Sequence, residues 1–328
     1  MPVRRRLLTT AAALSALGAL GAPAAHAQNA DFPPRKPVTL VVGFAPGGAA
    51  DAAARLIARK LADNIGQTVV VDNKGGAGGN IAHQYVAQAP ADGTVLLFGS
   101  IGPLTIAPHL MKLPYDPFKD LAPVSVGVNF PNVLVVNKAV GATTLAQFVE
   151  LSKKKPGSVD FASTGAGSAS HLAGELFNQR AGIDMSHVPY KGGAPAVLDT
   201  VSDQTQVLFS AGTQTLPHVK AGKLKLLAVT EAKRSPLLPD VPAVAETLPG
   251  YELSVWYGLF GPAGMPGDLV ARLNQATNAA LADPAVRTRM EGIGVEVVQT
   301  TPALFADTLR KDAERYGKTI RDLGIKNE

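Results

Sequence analysis

The chain alternates short continuous apolar runs with stretches whose apolar residues recur at helical spacing. Val38-Thr39-Leu40-Val41-Val42 is a run of the kind a sheet buries on both faces. Gly47-Gly48 ends it, and residues 52–61 take up the helical period. The cycle repeats with residues 68–71 as strand, 75–79 as loop, 81–88 as helix and 94–98 as strand. Further strands are expected over 133–136, 160–163, 188–190, 207–210 and 225–229, and further helices over 145–151, 171–179 and 194–201. Helices over 269–281 and 302–323 close the chain, with a strand over 295–298 between them. Such alternation with glycine-rich turns predicts an α/β fold built on mainly parallel sheets flanked by helices. Two proline-rich stretches, 113–123 and 235–249, bracket the middle and read as connections near two chain crossings. They divide the chain into one lobe of residues 28–125 plus 229–328 and a second lobe of residues 126–228.

Residues 1–27 have the order of a cleaved export signal: Arg4-Arg5-Arg6, an apolar stretch over 7–22, then Ala25-His26-Ala27. The stretch is too short and too rich in Ala and Gly for a membrane span, so the mature chain is expected to start at Gln28. The arginines leave the Sec and twin-arginine routes both open. Removing the signal takes three arginines and no acid, which brings the formal charge of +5 close to neutral. No basic footprint for nucleic acid remains, and Lys153-Lys154-Lys155 fits a solvated helix end. With 0 cysteines among 328 residues, disulfides and cysteine-based metal sites are excluded. A cysteine-free exported chain points to a Gram-negative periplasm.

Most chemical motifs fail on inspection. Gly165-Ala166-Gly167-Ser168-Ala169-Ser170 begins like a dinucleotide fingerprint but has Ser170 at its third glycine. Gly317-Lys318-Thr319 has Asp312 where a phosphate-binding loop needs glycine, and it lies inside a helical pattern. His83, His109, His171, His187 and His218 show no metal-ligand spacing on a helix; only His171, in the first turn after Ser168 and Ser170, stays a candidate. No nucleophile–base pair assembles from spacing, and no cofactor or metal is expected.

One pattern survives because it occurs twice. A buried strand runs into Phe44-Ala45-Pro46-Gly47-Gly48 and a helix carrying Asp51. A second strand runs into Thr164-Gly165-Ala166-Gly167-Ser168-Ala169-Ser170 and another helix. Glycines admit close backbone approach, and free first-turn N–H groups with the helix dipole favour an anion such as a carboxylate. Two such turns in separate lobes predict a bilobed receptor that grips an anion.

The segments that carry this pattern resemble the Bug, or TctC-like, extracytoplasmic solute receptors of tripartite tricarboxylate transport systems. Matching stretches include Val41-Val42-Gly43-Phe44-Ala45-Pro46-Gly47-Gly48 with Asp51, and Asp72-Asn73-Lys74-Gly75-Gly76-Ala77-Gly78-Gly79-Asn80. Lys112-Leu113-Pro114-Tyr115-Asp116-Pro117, Pro131-Asn132-Val133-Leu134, Ser168-Ala169-Ser170-His171-Leu172-Ala173-Gly174-Glu175 and His187-Val188-Pro189-Tyr190-Lys191-Gly192 follow in order. The resemblance implies a two-lobed periplasmic binding protein of the Venus-flytrap type. Such a receptor closes over a small carboxylate and presents it to membrane permease subunits. By that resemblance Phe44, Ala45, Pro46, Gly47, Gly48 and Asp51 face the ligand from one lobe, with Gly78 and Gly79 bordering the cleft. Thr164, Gly165, Gly167, Ser168, Ala169 and Ser170 face it from the other, with Tyr190 nearby. Ser210 stands where relatives often carry Asp, and residues 100–108 are more apolar than is common, which together favour a less polar ligand such as an aromatic carboxylate. A monomer is expected. The alternatives are a periplasmic sensor with the same fold, feeding a signalling partner, and an exported hydrolase.

Overall fold

The computed structural model describes residue 32 and residues 34–326, so the export signal lies outside the described residues. In chain order the elements begin with β1 (Val38–Val42), α1 (Ala49–Ile65), β2 (Val69–Asn73), α2 (Asn80–Ala87), β3 (Val95–Ser100), α3 (Ala107–Leu110) and β4 (Leu121–Phe130). Then come β5 (Asn132–Asn137), α4 (Leu145–Lys154), β6 (Val159–Ser163), α5 (Ala169–Ala181), β7 (Met185–Pro189), α6 (Gly193–Val201), β8 (Val207–Ala211), α7 (Gly212–Lys220) and β9 (Leu224–Val229). β10 (Val255–Pro262), α8 (Gly267–Ala282), α9 (Pro284–Gly292), β11 (Glu296–Val297) and α10 (Pro302–Leu323) complete the chain.

The strands form two sheets, β11-β4-β10-β3-β1-β2 and β7-β6-β8-β5-β9, each with helices packed on it. β1 lies between β2 and β3, parallel to both, and Val38, Leu40, Val41 and Val42 are fully buried, which explains the unbroken apolar run. α1 presents Ala50, Ala53, Ala54, Ile57, Ala58, Leu61 and Ile65 to the core at helical spacing. Gly66 then takes the left-handed φ of 64° that closes the helix.

The expectation of mainly parallel sheets needs correction. β2-β1-β3 and β7-β6-β8 are parallel, but β10 runs antiparallel to β3 and β4, and β5 antiparallel to β8 and β9. The reason is the double crossing of the chain. β4 leaves the first sheet toward the second, and β10 returns, so each entering strand runs against the set it joins. The outward crossing falls at Pro131, between β4 and β5, so residues 126–130, assigned from the sequence to the second lobe, continue a strand of the first sheet. Thr230 marks the return: its N–H donates to Asn132 O at 2.8 Å, and Asn132 Nδ2 donates to Thr230 Oγ1 at 3.1 Å, tying the two crossings side by side. Among the described residues, no helix is long and apolar enough to cross a membrane.

Candidate functional site

The carboxyl ends of β1, β3, β6 and β8 meet where the two sheets face one another, the position at which open α/β sheets place ligands. They enclose a cavity of about 40 Å³. Its walls include Phe44, Gly48, Ala49 and Ala50 from the first turn, and Thr164, Ser168, Ala169 and Ser170 from the second. Ser100 ends β3 and Ile101 and Gly102 follow it, Asn132 opens β5, and Val255 and Tyr257 come from β10. Gly193, Ser210, Ala211 and Gln214 complete it. Among the described residues, no charged side chain lines this cavity.

The positive end of the site is therefore backbone. Ala49 and Ala50 begin α1, and Ala169 and Ser170 begin α5, so their N–H groups have no carbonyl four residues earlier within the helix. Both helix dipoles add to them. The helices are 17 and 13 residues long and belong to different sheets, so two anion-favouring ends converge from opposite sides.

Side chains hold each turn in place. Asp51 Oδ2 accepts from Gly47 N at 3.0 Å and from Arg55 Nε at 3.1 Å, and Arg55 Nη2 lies 2.9 Å from Oδ1. Burial works to raise the Asp51 pKa, but the hydrogen bonds from Arg55, Gly47 and Asn73 outweigh it and hold the carboxyl below its ordinary value. Asp51 thus points back into its own turn and orients it. On the other side Ser170 Oγ accepts from Thr164 N at 2.7 Å and lies 2.9 Å from Thr164 Oγ1 and 3.0 Å from Ser168 Oγ. Ser168 Oγ caps α5 by accepting from His171 N at 3.2 Å.

The lobes touch around the cavity through backbone. Ala45 N donates to Lys191 O at 3.1 Å. A Cβ built on Gly165, whose φ is +126°, would sit 2.8 Å from the Gly78 Cα, and one on Gly78 would collide with Ala166 O. Only glycine admits that approach.

Of the residues singled out from the sequence, Phe44, Gly48, Thr164, Ser168, Ala169, Ser170 and Ser210 line the cavity. Ala45, Gly78 and Gly165 form the contact between lobes instead, and Pro46 is exposed. Gly47 borders a separate outer groove. Gly79 packs near Phe44 and Pro103, and Gly167 near Met111 and Ala107. The Tyr190 hydroxyl donates to Asp199 Oδ2 at 2.8 Å inside its own lobe. His171 also faces away: its ring stacks on His187 at 4.1 Å, Nδ1 accepts from Gly167 N at 3.2 Å, and burial pushes its pKa down to about 4.

Sequence reading missed Ser100, Asn132, Gln214 and Tyr257. Tyr257 is the wall's largest polar side chain, set between Phe98 at 5.4 Å, Phe130 at 5.2 Å and Phe44 at 5.9 Å. A usable signal existed for Gln214. β8 runs through Ser210 and Ala211 directly into Gly212 and α7, a third strand-to-helix turn like the other two.

Known proteins share the sequence pattern and the fold of this chain. Residues 53–325 match the family model TctC, the tripartite tricarboxylate transporter family receptor. Protein BugT of Bordetella pertussis is 36% identical over 301 residues, covering 91% of this chain and 92% of the relative. A Rhodopseudomonas palustris protein solved with adipate superposes with a TM-score of 0.85 at 35% identity, covering 90% of this chain and 99% of that one. MatC from Rhodopseudomonas palustris, solved with bound malate, gives a TM-score of 0.84 at 34% identity, covering 88% and 99%. With its two helix ends aimed across a cleft and a family match over most of its length, the chain belongs to the TctC family of solute-binding receptors.

Proposed function

We propose that the protein is a periplasmic receptor that encloses one small organic carboxylate between two lobes hinged at Pro131 and Thr230. It would hand that ligand to the permease subunits of a tripartite transporter. The carrying observation is the convergence of free first-turn amides of α1 and α5 on a cavity without charged side chains. A carboxylate would lie between Ala49–Ala50 and Ala169–Ser170, neutralised by dipoles and N–H donors alone. Phe44, Ile101, Val255 and Tyr257 supply apolar walls for its carbon frame. The adipate and malate seen in the two solved relatives support this ligand class. A bridging ligand is the reason to close, because only the closed form brings both helix ends to it. The chain would be made with the signal 1–27, start at Gln28 after export, and act as a monomer that binds without turnover. A thermal-shift panel of small carboxylates tests the reading: a ligand at ~100 times its Kd adds about 2.7 kcal/mol of stability. Stoichiometric calorimetric binding with the ligand recovered intact is the expected result; turnover of the bound acid, or silence across the whole panel, would sink it.

A further inference from the structure

The cavity and a larger space outside it share three bordering residues. Outside it lies a groove of about 300 Å³ between the lobes, bordered by Ala52, Ala194, Val197, Leu198, Thr213 and Ile293. Gly48, Ala49 and Gln214 border both spaces, and Gln214 is the only one of the three with a long side chain. Gln214 stands in the first turn of α7 and reaches across to the start of α1. A Cβ built on Gly48 would come 2.9 Å from Gln214 Nε2, and one on Gly193 would collide with Gln214 Oε1. The carboxamide therefore fills the gap that these two glycines leave open. Among the described residues its side chain makes one hydrogen bond, the long one in which Oε1 accepts from Ser210 Oγ at 3.3 Å.

We infer that Gln214 sets the length limit of the ligand: its side chain closes the carboxylate cavity against an apolar groove that would take the tail of a longer acid. The inference rests on the carboxylate reading above. Room for about three waters, at ~10–15 Å³ each, suits a short acid. The groove beyond is mainly apolar: Ala52, Ala194, Val197, Leu198 and Ile293 line it together with the polar Thr213 and His218, and Leu198 is 61% exposed. A methylene chain entering it would leave water for hydrocarbon, worth roughly fourfold in affinity per methylene.

Calorimetric titration with straight-chain acids from butanoate to decanoate tests this on the wild type, Gln214→Ala and Gln214→Met. The wild type should lose affinity beyond a short chain. Gln214→Ala should move that break to longer acids and raise the octanoate-to-butanoate affinity ratio by roughly tenfold or more, about two buried methylenes. Gln214→Met keeps the length and bulk of the side chain without its amide and should retain the wild-type break. Gln214→Ser serves as a second truncation should the alanine variant fold poorly, with the same expectation. An unchanged break in both truncations, or a methionine variant that behaves like alanine, overturns the role of Gln214 while leaving the receptor reading intact. Absence of binding to every acid by the wild type overturns both.

Discussion

The two strand-to-helix turns that face each other across the cavity present the same chemistry by different means. In the first, a carboxylate behind the turn does the work: Asp51 holds Gly47 N and is itself neutralised by Arg55. In the second, Ser168, Ser170 and Thr164 share hydroxyl contacts, and among the described residues no charged side chain bonds them. Both leave helix amides free at the tip. A helix end thus needs no cationic side chain to favour an anion, only a turn held from behind, and the holding group can be ionic or neutral.

The largest effect should come from breaking the shared tip. Gly48→Asp places bulk beside Gln214 and a negative charge at the α1 amides. Carboxylate affinity should fall by ~100-fold or more, about 2.7 kcal/mol or more. Circular dichroism should remain native, because Gly48 already has an extended φ of −81° that any residue adopts. A native-like variant with wild-type affinity would remove the first turn from the site.

Replacing Ser168 and Ser170 together by Ala dissolves the hydroxyl cluster. Loss of the cap alone should lower stability by about 0.5–2 kcal/mol. Since Thr164 also loses its partner, affinity should fall by roughly tenfold, about 1.4 kcal/mol, and ligand-induced compaction in small-angle scattering should shrink. Reduced melting temperature with unchanged Kd and unchanged compaction would mean the serines only cap the helix.

Asp51→Asn gives the smallest and most selective change, because it separates the ionic turn from the neutral one by pH. Asp51 titrates below its ordinary value in the folded chain, so the unfolded chain takes up its proton first as acid is added. Its stabilisation is present above the ordinary carboxylate pKa and is lost as pH falls through the lower folded value. Denaturation across the acid range should therefore show the wild type converging on Asp51→Asn at low pH and exceeding it near neutrality. A constant gap at all pH values would show that Asp51 contributes no charge-dependent tie. The double serine variant should keep the wild-type acid profile of this carboxyl.

Much of this was legible from local pattern. β1, α1, β6 and α10 show in apolar runs or helical spacing because each buries one run or stripe of its own residues, whereas α5, buried from Ala169 through Gly174 without a break, shows through the glycine-rich turn that precedes it. β4 and β10 escaped it. Pro123 and Gly127 interrupt β4, Gly258 and Gly261 interrupt β10, and each strand is held by partners far away in sequence, Val255 opposite Phe130 and Tyr257 opposite Ser100. α7 was hidden in the same way by Gly212 at its start and Pro217 inside it.

The sequence by itself determined the α/β class, the family, and two turns whose free amides favour an anion, because glycine placement, caps and apolar period act within a few residues. The tertiary structure decided which side chains meet there. Tyr257 and Asn132 reach the cavity only because the chain crosses twice between sheets, Asp51 and Tyr190 turn away because Arg55 and Asp199 offer nearer partners, and Gln214 becomes a wall only where two glycines make room. Those outcomes depend on distances between elements far apart along the chain, which no local spacing encodes.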